Sequence, residues 1–129
     1  MMAQKALLFG DDESYQKIMK SKDPSEQKAI GRTVKNFDPN KWNLVCRKVV
    51  YDANLAKFSD PQLNRFLMET GDKEIVEASP YDRIWGIGLG TDDPRCLIKS
   101  QWQGTNWLGI AMMEVRDTFK HMNLTRGIP

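Results

Sequence analysis

The sequence is poor in the residues that build metal sites, disulfide frameworks and membrane spans. Its 129 residues include two cysteines and one histidine, which are too few ligands for a typical structural metal site. We therefore expect no metal, and no motif indicates a cofactor. Cys46 and Cys96 lie far apart in the chain, so buried, reduced thiols are the default interpretation.

Long apolar runs and targeting signals are also missing. No stretch is long and apolar enough to span a bilayer, and no charged start is followed by a signal-peptide core. The simplest interpretation is a cytoplasmic protein without a membrane partner.

Neither sign of charge dominates. Nineteen Lys and Arg against seventeen Asp and Glu give a net charge of +2, and no block of one sign indicates nucleic acid or an anionic membrane as partner. With 40% hydrophobic and 28% charged residues, the composition is that of an ordinary soluble protein. A chain of this length fits one domain that can bury its own core.

Helix-start signals dominate what the sequence does contain. Three Asp-Pro pairs each place an acceptor side chain at the N-cap and a proline at the first helical position. These Asp-Pro pairs predict helices over Pro24 to Val34, Pro39 to Ala56 and Pro61 to Thr70. Helical patterns also cover the first residues, the stretch Asp12 to Met19 and the stretch Asn106 to Asn123. The tail, Thr125 to Pro129, is predicted to be loose.

Two of these helices carry apolar stripes at steps of three and four residues, which is typical of helices that face a core. Lys73 to Ala78 has weak strand character and could pair with Ile84 to Leu89. The predicted class is mainly α, or α+β with a minor short β or irregular element. The stripes are Trp42, Val45, Val49, Ala53 and Ala56 in one helix, and Leu108, Ala111, Met112, Val115, Phe119 and Met122 in the other.

The stretch from Glu77 to Gly109 combines tryptophans, glycines, prolines and charges in a mixture that few packing roles require. Gly86, Gly88 and Gly90 allow positive φ or a close approach of backbone to a ligand. Their G-x-G-x-G spacing is not a dinucleotide fingerprint, because no clear strand precedes it and no capped helix follows it.

Two interpretations of this stretch remain open. In the first, the carboxylates of Glu77 and Asp82 and the flat face of Trp85 form a pocket for a heterocycle joined to a sugar. In the second, Asp82 only caps a turn, Trp85 and Trp102 belong to the core, and the glycines relieve strain.

Three further residues are candidates outside the acidic loop. Asn106 can cap the last helix, whose first amides would then favour an anion such as phosphate. Arg116 could bind that phosphate or pair with an acid. Lys5 is either solvated or partly buried, and burial would lower its pKa and make it reactive. His121 sits at a helix end, where a catalytic role is not indicated.

These motifs together resemble the YbiA-like family, also called NADAR, over nearly the whole chain. The later motifs are the most distinctive, because their order and spacing all match. The full set of motifs that carry the resemblance is MMAQKALLF at the start, GR at Gly31, FDPNKW at Phe37, AKF at Ala56, TGD at Thr70, EASPYDRIWGIGLG at Glu77, W-x-G-T-N-W-L-G at Trp102 and MMEVR at Met112.

The resemblance implies a mainly α-helical fold and N-glycosidase activity without a cofactor. The substrate would be a small nucleotide-like molecule, either a phosphorylated intermediate of riboflavin synthesis or ADP-ribose attached to guanine in a nucleic-acid base. The base would lie near Trp85, Gly86, Gly88 and Trp102, and the phosphate near Asn106 and Arg116.

Catalysis would fall to Asp82 or Glu77 as the carboxylate beside an oxocarbenium-like centre, or to Lys5 as an amine that attacks the opened sugar. Family members usually carry an upstream segment ending in an acidic residue thought to act in catalysis, and this sequence starts directly after that point. Two rivals follow from this: an ADP-ribose-binding or NAD-binding module without turnover, and a fragment that does not fold alone. The oligomeric state is left open.

Overall fold

The Asp-Pro pairs start helices where the sequence predicts them. A computed structural model describes the backbone of residues 1–125 and the side chains of residues 1–123. Asp23, Asp38 and Asp60 each accept a hydrogen bond from an amide in the first turn of the following helix, at 3.0 to 3.1 Å. In chain order the helices are α1 (Met2–Leu8), α2 (Asp12–Lys20), α3 (Pro24–Gly31), α4 (Pro39–Lys57), α5 (Pro61–Met68) and α6 (Trp107–Thr125).

The chain divides into two compact units, residues 1–50 and residues 51–129. That the chain forms a single domain stays a prediction. In the first unit, α1, α2 and α3 surround a core of buried apolar side chains. Its central members are Ala6, Phe9, Ile18 and Val34.

The apolar face of α4 differs from the predicted stripe. Cys46 and Val50 are its buried residues, whereas Ala53 and Ala56 are exposed. Neighbouring positions on a helix lie about 100° apart, so a periodic pattern fixes the face only to within one position. An alanine side chain exposes little apolar area to water, so the exposure of these two residues reduces the free energy of unfolding only slightly.

In the second unit, α5 and α6 are joined by a long connection with two 3₁₀ turns, Pro94–Leu97 and Lys99–Gln101. Buried apolar side chains from α5, the connection and α6 form its interior. The stripe predicted on α6 holds for its first turns, although Met122 is exposed. The buried residues are Leu67, Ile87, Leu89, Ala111 and Val115.

Within residues 1–125 no strand forms, so the irregular form of the predicted minor element is the one observed. The segments 73–78 and 84–89 still meet, because Ile87 N donates to Glu77 O at 3.0 Å. Gly88 has a φ of +71°, which breaks the extended conformation that a ladder requires.

Three other features complete the description. None of the helices in residues 1–125 combines the length and apolar character that a membrane span requires. Among the same residues, no cluster of three or more His, Cys, Asp or Glu side chains could hold a metal ion. Of the predicted loose tail, Thr125 to Pro129, the first residue is the last of α6, and residues 126–129 lie outside the described residues.

Candidate active site

Gly86 is the point around which the acidic loop folds. Ile87 N donates to Glu77 O and Gly88 N donates to Asp82 O, both at 3.0 Å. A Cβ on Gly86 would lie 2.9 Å from each of those carbonyl oxygens, closer than side chains tolerate. The structure therefore brings Glu77, Asp82 and Gly86 together.

The carboxylate of Asp82 closes a turn. Its Oδ1 accepts from Ile84 N at 3.0 Å and from Trp85 N at 2.8 Å. This is the role that the second interpretation of the loop assigns to Asp82. Its Oδ2 makes no hydrogen bond within the described part of the chain, so one oxygen remains available beside the turn.

The carboxylate of Glu77 has a different environment. Glu77 is half-buried, and its carboxylate has no hydrogen bond or ion pair among the described residues. Its backbone is held on both sides, because Glu77 N donates to Asn106 Oδ1 at 3.0 Å and Glu77 O accepts from Ile87 N. A fixed backbone with an unengaged acid is the arrangement that a reacting carboxylate requires.

Trp85, whose amide bonds to the Asp82 carboxylate, packs against a second tryptophan. The rings of Trp85 and Trp107 are 5.6 Å apart at an angle of 82°, an edge-to-face arrangement favourable to aromatic pairs. Trp85 is half-buried rather than enclosed. Part of its surface is consequently still open to a planar ligand.

The amides at the start of α6, which the sequence analysis expected to favour an anion, are hydrogen-bonded to the loop. The amides of Asn106, Trp107 and Leu108 donate to the carbonyls of Gly86, Ile84 and Trp85 respectively, each at 3.0 Å. The loop thus satisfies amides that a helix start normally leaves unpaired. The pattern of residues could not reveal this, because the partners lie about twenty residues earlier.

Asn106 acts as a clamp between α6 and the segment that ends in Glu77. It is only 2% exposed, and its amide group donates to Ile75 O at 3.0 Å besides accepting from Glu77 N. It directly precedes α6, as predicted, with a φ of +54°. Both side-chain polar atoms are engaged, so Asn106 holds the backbone of Glu77. Phosphate binding beside Asn106 stays a prediction.

Arg116 lies farther along α6 and is also buried, with 4% exposure. Its Nη1 donates to Thr70 Oγ1 at 2.9 Å and to Lys73 O at 2.8 Å. It is ten residues beyond Asn106, about 15 Å along a helix axis. Phosphate binding by Arg116 stays a prediction.

Trp102 has contacts within its own turn. Its Nε1 donates to Cys96 O at 2.8 Å, and the Nζ of Lys99 lies 5.8 Å from its ring. Lys99 also pairs with Glu74 at 2.8 Å. Contact of Trp102 with a base stays a prediction.

Lys5 belongs to the first unit, where α1 places its Nζ 4.3 Å from the centre of the Phe37 ring. Partial burial lowers the pKa of Lys5, since burial disfavours the charged amine. Of the two alternatives for this residue, the structure shows the partly buried one.

A model of the NADAR domain matches residues 1–120. The chain belongs to the NADAR family. Its mainly helical fold is thus that of a NADAR protein.

Three relatives carry informative names. N-glycosidase R617 of Acanthamoeba polyphaga mimivirus is 45% identical over 118 residues, 91% of this chain and 69% of the relative. N-glycosidase Npun_R5314 of Nostoc punctiforme is 31% identical over 106 residues, 81% of this chain and 61% of the relative. The riboflavin biosynthesis protein PYRR of Arabidopsis thaliana is 33% identical over 109 residues, 81% of this chain and 16% of the relative.

Two positions of the NADAR site carry a role that sequence reasoning missed. A Cβ on Gly104 would collide with Gly86 O and lie 2.8 Å from the backbone of Arg83, and one on Gly109 would collide with Ile75 O. Both glycines let α6 and the loop approach closely. Gly109 in the first turn of a helix was the available signal, because glycine there has a propensity cost that needs a packing reason.

A cavity of about 670 Å³ lies elsewhere in the second unit. Residues of α5 line it together with Phe119, Met122 and Asn123 near the end of α6. Phe119 is about 20 Å of helix from Asn106, and none of the acids of the loop lines this space. We place the candidate active site at Glu77 and Trp85 because the unengaged carboxylate is there.

Proposed function

We propose that this NADAR protein hydrolyses the N-glycosidic bond between a base and the ribose of a phosphorylated, nucleotide-like molecule. The observation that carries the proposal is the carboxylate of Glu77. It is half-buried, unpartnered among the described residues, and fixed through its own backbone beside Gly86. The names of two relatives, which are N-glycosidases, support the same reaction class.

In the reaction the bond between C1′ and the base nitrogen breaks, and the oxygen of a water molecule bonds to C1′. The transition state carries positive charge on the ribose ring, which a nearby carboxylate stabilises. Glu77 takes the proton that the water loses, and the departing nitrogen gains a proton from the site or solvent. Trp85 supplies a face on which the base stacks.

We propose a ribosylaminopyrimidine phosphate as the substrate, because another relative is named a riboflavin biosynthesis protein. ADP-ribosylated guanosine is the comparison substrate, since the family that the motifs resemble includes enzymes that act on ADP-ribose attached to guanine. Release of base from the second substrate and not from the first would reassign the substrate while keeping the reaction.

The test is Glu77→Gln, which keeps the shape of the side chain and removes its charge. We expect kcat to fall by roughly 100-fold or more, measured as base release by chromatography. Glu74→Gln is the matched control, because Glu74 is an exposed acid three residues earlier that pairs with Lys99. Equal rates for Glu77→Gln and the unchanged protein would overturn the role of Glu77.

Asp82→Asn distinguishes the two acids of the loop. Asparagine keeps an oxygen that can accept from Ile84 N and Trp85 N, so the turn should survive and kcat should fall less than in Glu77→Gln. A larger loss in Asp82→Asn would make Asp82 the reacting carboxylate. Binding of substrate by the unchanged protein, seen by calorimetry without any base release, would instead indicate a binding module.

Amine catalysis by Lys5 is the remaining alternative. A Schiff base between the Lys5 amine and the opened sugar would be reduced by borohydride to a stable adduct, visible as a mass increase on the peptide that contains Lys5. Loss of that adduct in Lys5→Ala would assign the amine. Absence of any adduct, with activity intact in Lys5→Ala, would leave the reaction to Glu77.

A further inference from the structure

The polar contacts between α6 and residues 70–77 lie at three levels along the helix. Near its start, Asn106 bonds to Ile75 and Glu77. Farther along, Arg116 bonds to Thr70 and Lys73, and Lys120 donates to Gly71 O at 2.8 Å. The segment that ends in Glu77 therefore runs antiparallel to α6 and is held at both of its ends.

The contact made by Arg116 is the unusual one. A guanidinium that is 4% exposed needs a partner for each N–H, because an unpaired buried donor is costly. Nevertheless, Arg116 Nε is buried away from solvent and has no hydrogen-bond partner among the described residues. A methionine or leucine would fill such a place without that cost, so the polar contacts of Nη1 are the physical reason for an arginine here.

The partners of Nη1 show what this arginine does. Thr70 Oγ1 also donates to Leu67 O at 2.6 Å, in the last turn of α5, while Lys73 O lies four residues before Glu77. Arg116 consequently fixes the point at which the chain leaves α5 and starts toward the site. Because Arg116 Nε is enclosed by protein, a substrate phosphate cannot reach that atom.

We propose that Arg116 is a positioning residue for Glu77 and not a ligand of the substrate phosphate. Arg116 sets the register of residues 70–77 against α6, Asn106 locks the other end, and the carboxylate of Glu77 is thereby held where the reaction needs it. This inference rests on the proposed function, since it names a residue that serves the same carboxylate. A displacement of about 1 Å of a reacting group can cost a factor of about 100 in rate.

The experiment compares Arg116→Met with the unchanged protein on two substrates, a ribosylaminopyrimidine phosphate and the same nucleoside without its phosphate. A positioning role predicts a fall in kcat of roughly 10-fold to 100-fold on both substrates with KM nearly unchanged. A phosphate ligand predicts a rise in KM on the phosphorylated substrate alone, and that outcome would overturn the proposal.

A second measurement places Arg116→Met in the Glu77→Gln background. If Arg116 acts only through Glu77, the double variant should be no slower than Glu77→Gln, because residues that act as a unit are not additive. Independent, multiplied losses would refute the inference while leaving the role of Glu77 intact. A normal rate in Glu77→Gln would instead refute the proposed function, so the two failures can be told apart.

Two milder variants cover the case in which Arg116→Met does not fold. Arg116→Lys retains a cation that can donate to Thr70 and Lys73 and should recover part of kcat. Thr70→Val removes one acceptor of Nη1 with little change of volume and should lower kcat in the same direction by a smaller factor. Arg65→Met, at an exposed arginine of α5, is the control and should change neither kcat nor KM.

Discussion

The first unit and the candidate active site are ordered by different kinds of interaction. In the first unit, α2 and α3 are capped by neighbouring acids, and the helices pack through apolar side chains such as Phe9 and Ile18. The loop before α6 is ordered by hydrogen bonds to the backbone, many of them between distant residues, such as Arg83 with Thr105 and Ile75 with Asn106.

This difference predicts where each region is sensitive to substitution. A side chain in a helical core can adjust its rotamer when a neighbour changes, at a moderate cost. A backbone carbonyl held by its own hydrogen bonds cannot move away without breaking them. Identical substitutions should thus cost little in the helical unit and much in the loop.

The largest effect is expected for Asn106→Ala. The change leaves Glu77 N and Ile75 O without partners and places alanine at a positive φ, which together should destabilise the protein by about 2 to 5 kcal/mol. The control is Asn36→Ala, because Asn36 has a φ of +61° but is exposed. Asn36→Ala should lower the free energy of unfolding by about 1 kcal/mol, because only the strain of placing alanine at a positive φ is involved.

Urea unfolding of the two asparagine variants measures this comparison. Equal losses of unfolding free energy in Asn106→Ala and Asn36→Ala would show that only backbone conformation matters at Asn106. The hydrogen bonds of the Asn106 side chain to Glu77 and Ile75 would then contribute nothing to stability.

A smaller effect is expected for a pair of glycines at which an added methyl group meets close neighbours. In Gly109→Ala the new Cβ collides with Ile75 O and lies 2.6 Å from Asn106 Oδ1, whereas in Gly31→Ala it meets only the flexible end of the Met2 side chain. We expect Gly109→Ala to cost about 1 to 3 kcal/mol. Gly31→Ala should be nearly neutral, because methionine repacks readily.

Thermal unfolding by circular dichroism checks the glycine pair. If Gly31→Ala proved as damaging as Gly109→Ala, the contrast between flexible side chains and fixed carbonyls would be wrong.

The smallest effect concerns Asp11, the N-cap of α2 in the first unit. Hydrogen bonds from the Ser14 side chain and from the amides of Lys35 and Ser14 lower the pKa of Asp11 to about 2. An unfolded aspartate titrates near pH 3.9. The folded pKa is therefore the lower one, so this stabilisation is complete above about pH 5 and is lost as the pH falls towards 2.

The measurement is the melting temperature between pH 7 and pH 2. Asp11→Asn should melt lower than the unchanged protein at pH 7, and the gap should close as the pH approaches 2. Asp12→Asn, at the exposed neighbour, is the control. A gap that stayed constant over the whole range would mean that the charge of Asp11 does not contribute.

Much of the helical framework could be predicted because its signals are local. Asp23, Asp38 and Asp60 bond to amides two or three residues away, so three helix starts were readable from neighbouring residues. The ends were less certain: the helix predicted to reach Val34 ends at Gly31, and the one predicted to reach Thr70 ends at Met68. Helix ends depend on what the next segment contacts, which no local pattern contains.

The folding of the loop could be predicted in its residues and not in its contacts. The backbones of Glu77, Asp82 and Gly86 meet, and each of these residues was named from the sequence. Their roles in a site stay predictions. The engagement of Asp82 in a turn appeared as one of two alternatives, whereas the hydrogen bonds between the first amides of α6 and the loop were not predicted. Only the pairing of the loop with the helix start settles such questions, because its partners are distant in sequence.

The sequence by itself determined the helix starts, the apolar stripe of α6 and the family, since each depends on residue types at short, fixed spacings. Tertiary structure alone decided that Asn106 clamps Glu77, that Arg116 holds the segment leading to it, and that the amides of α6 are occupied. These features arise from hydrogen bonds between residues about 20 to 46 positions apart. Such bonds exist only after the chain has brought α6 and the loop into contact.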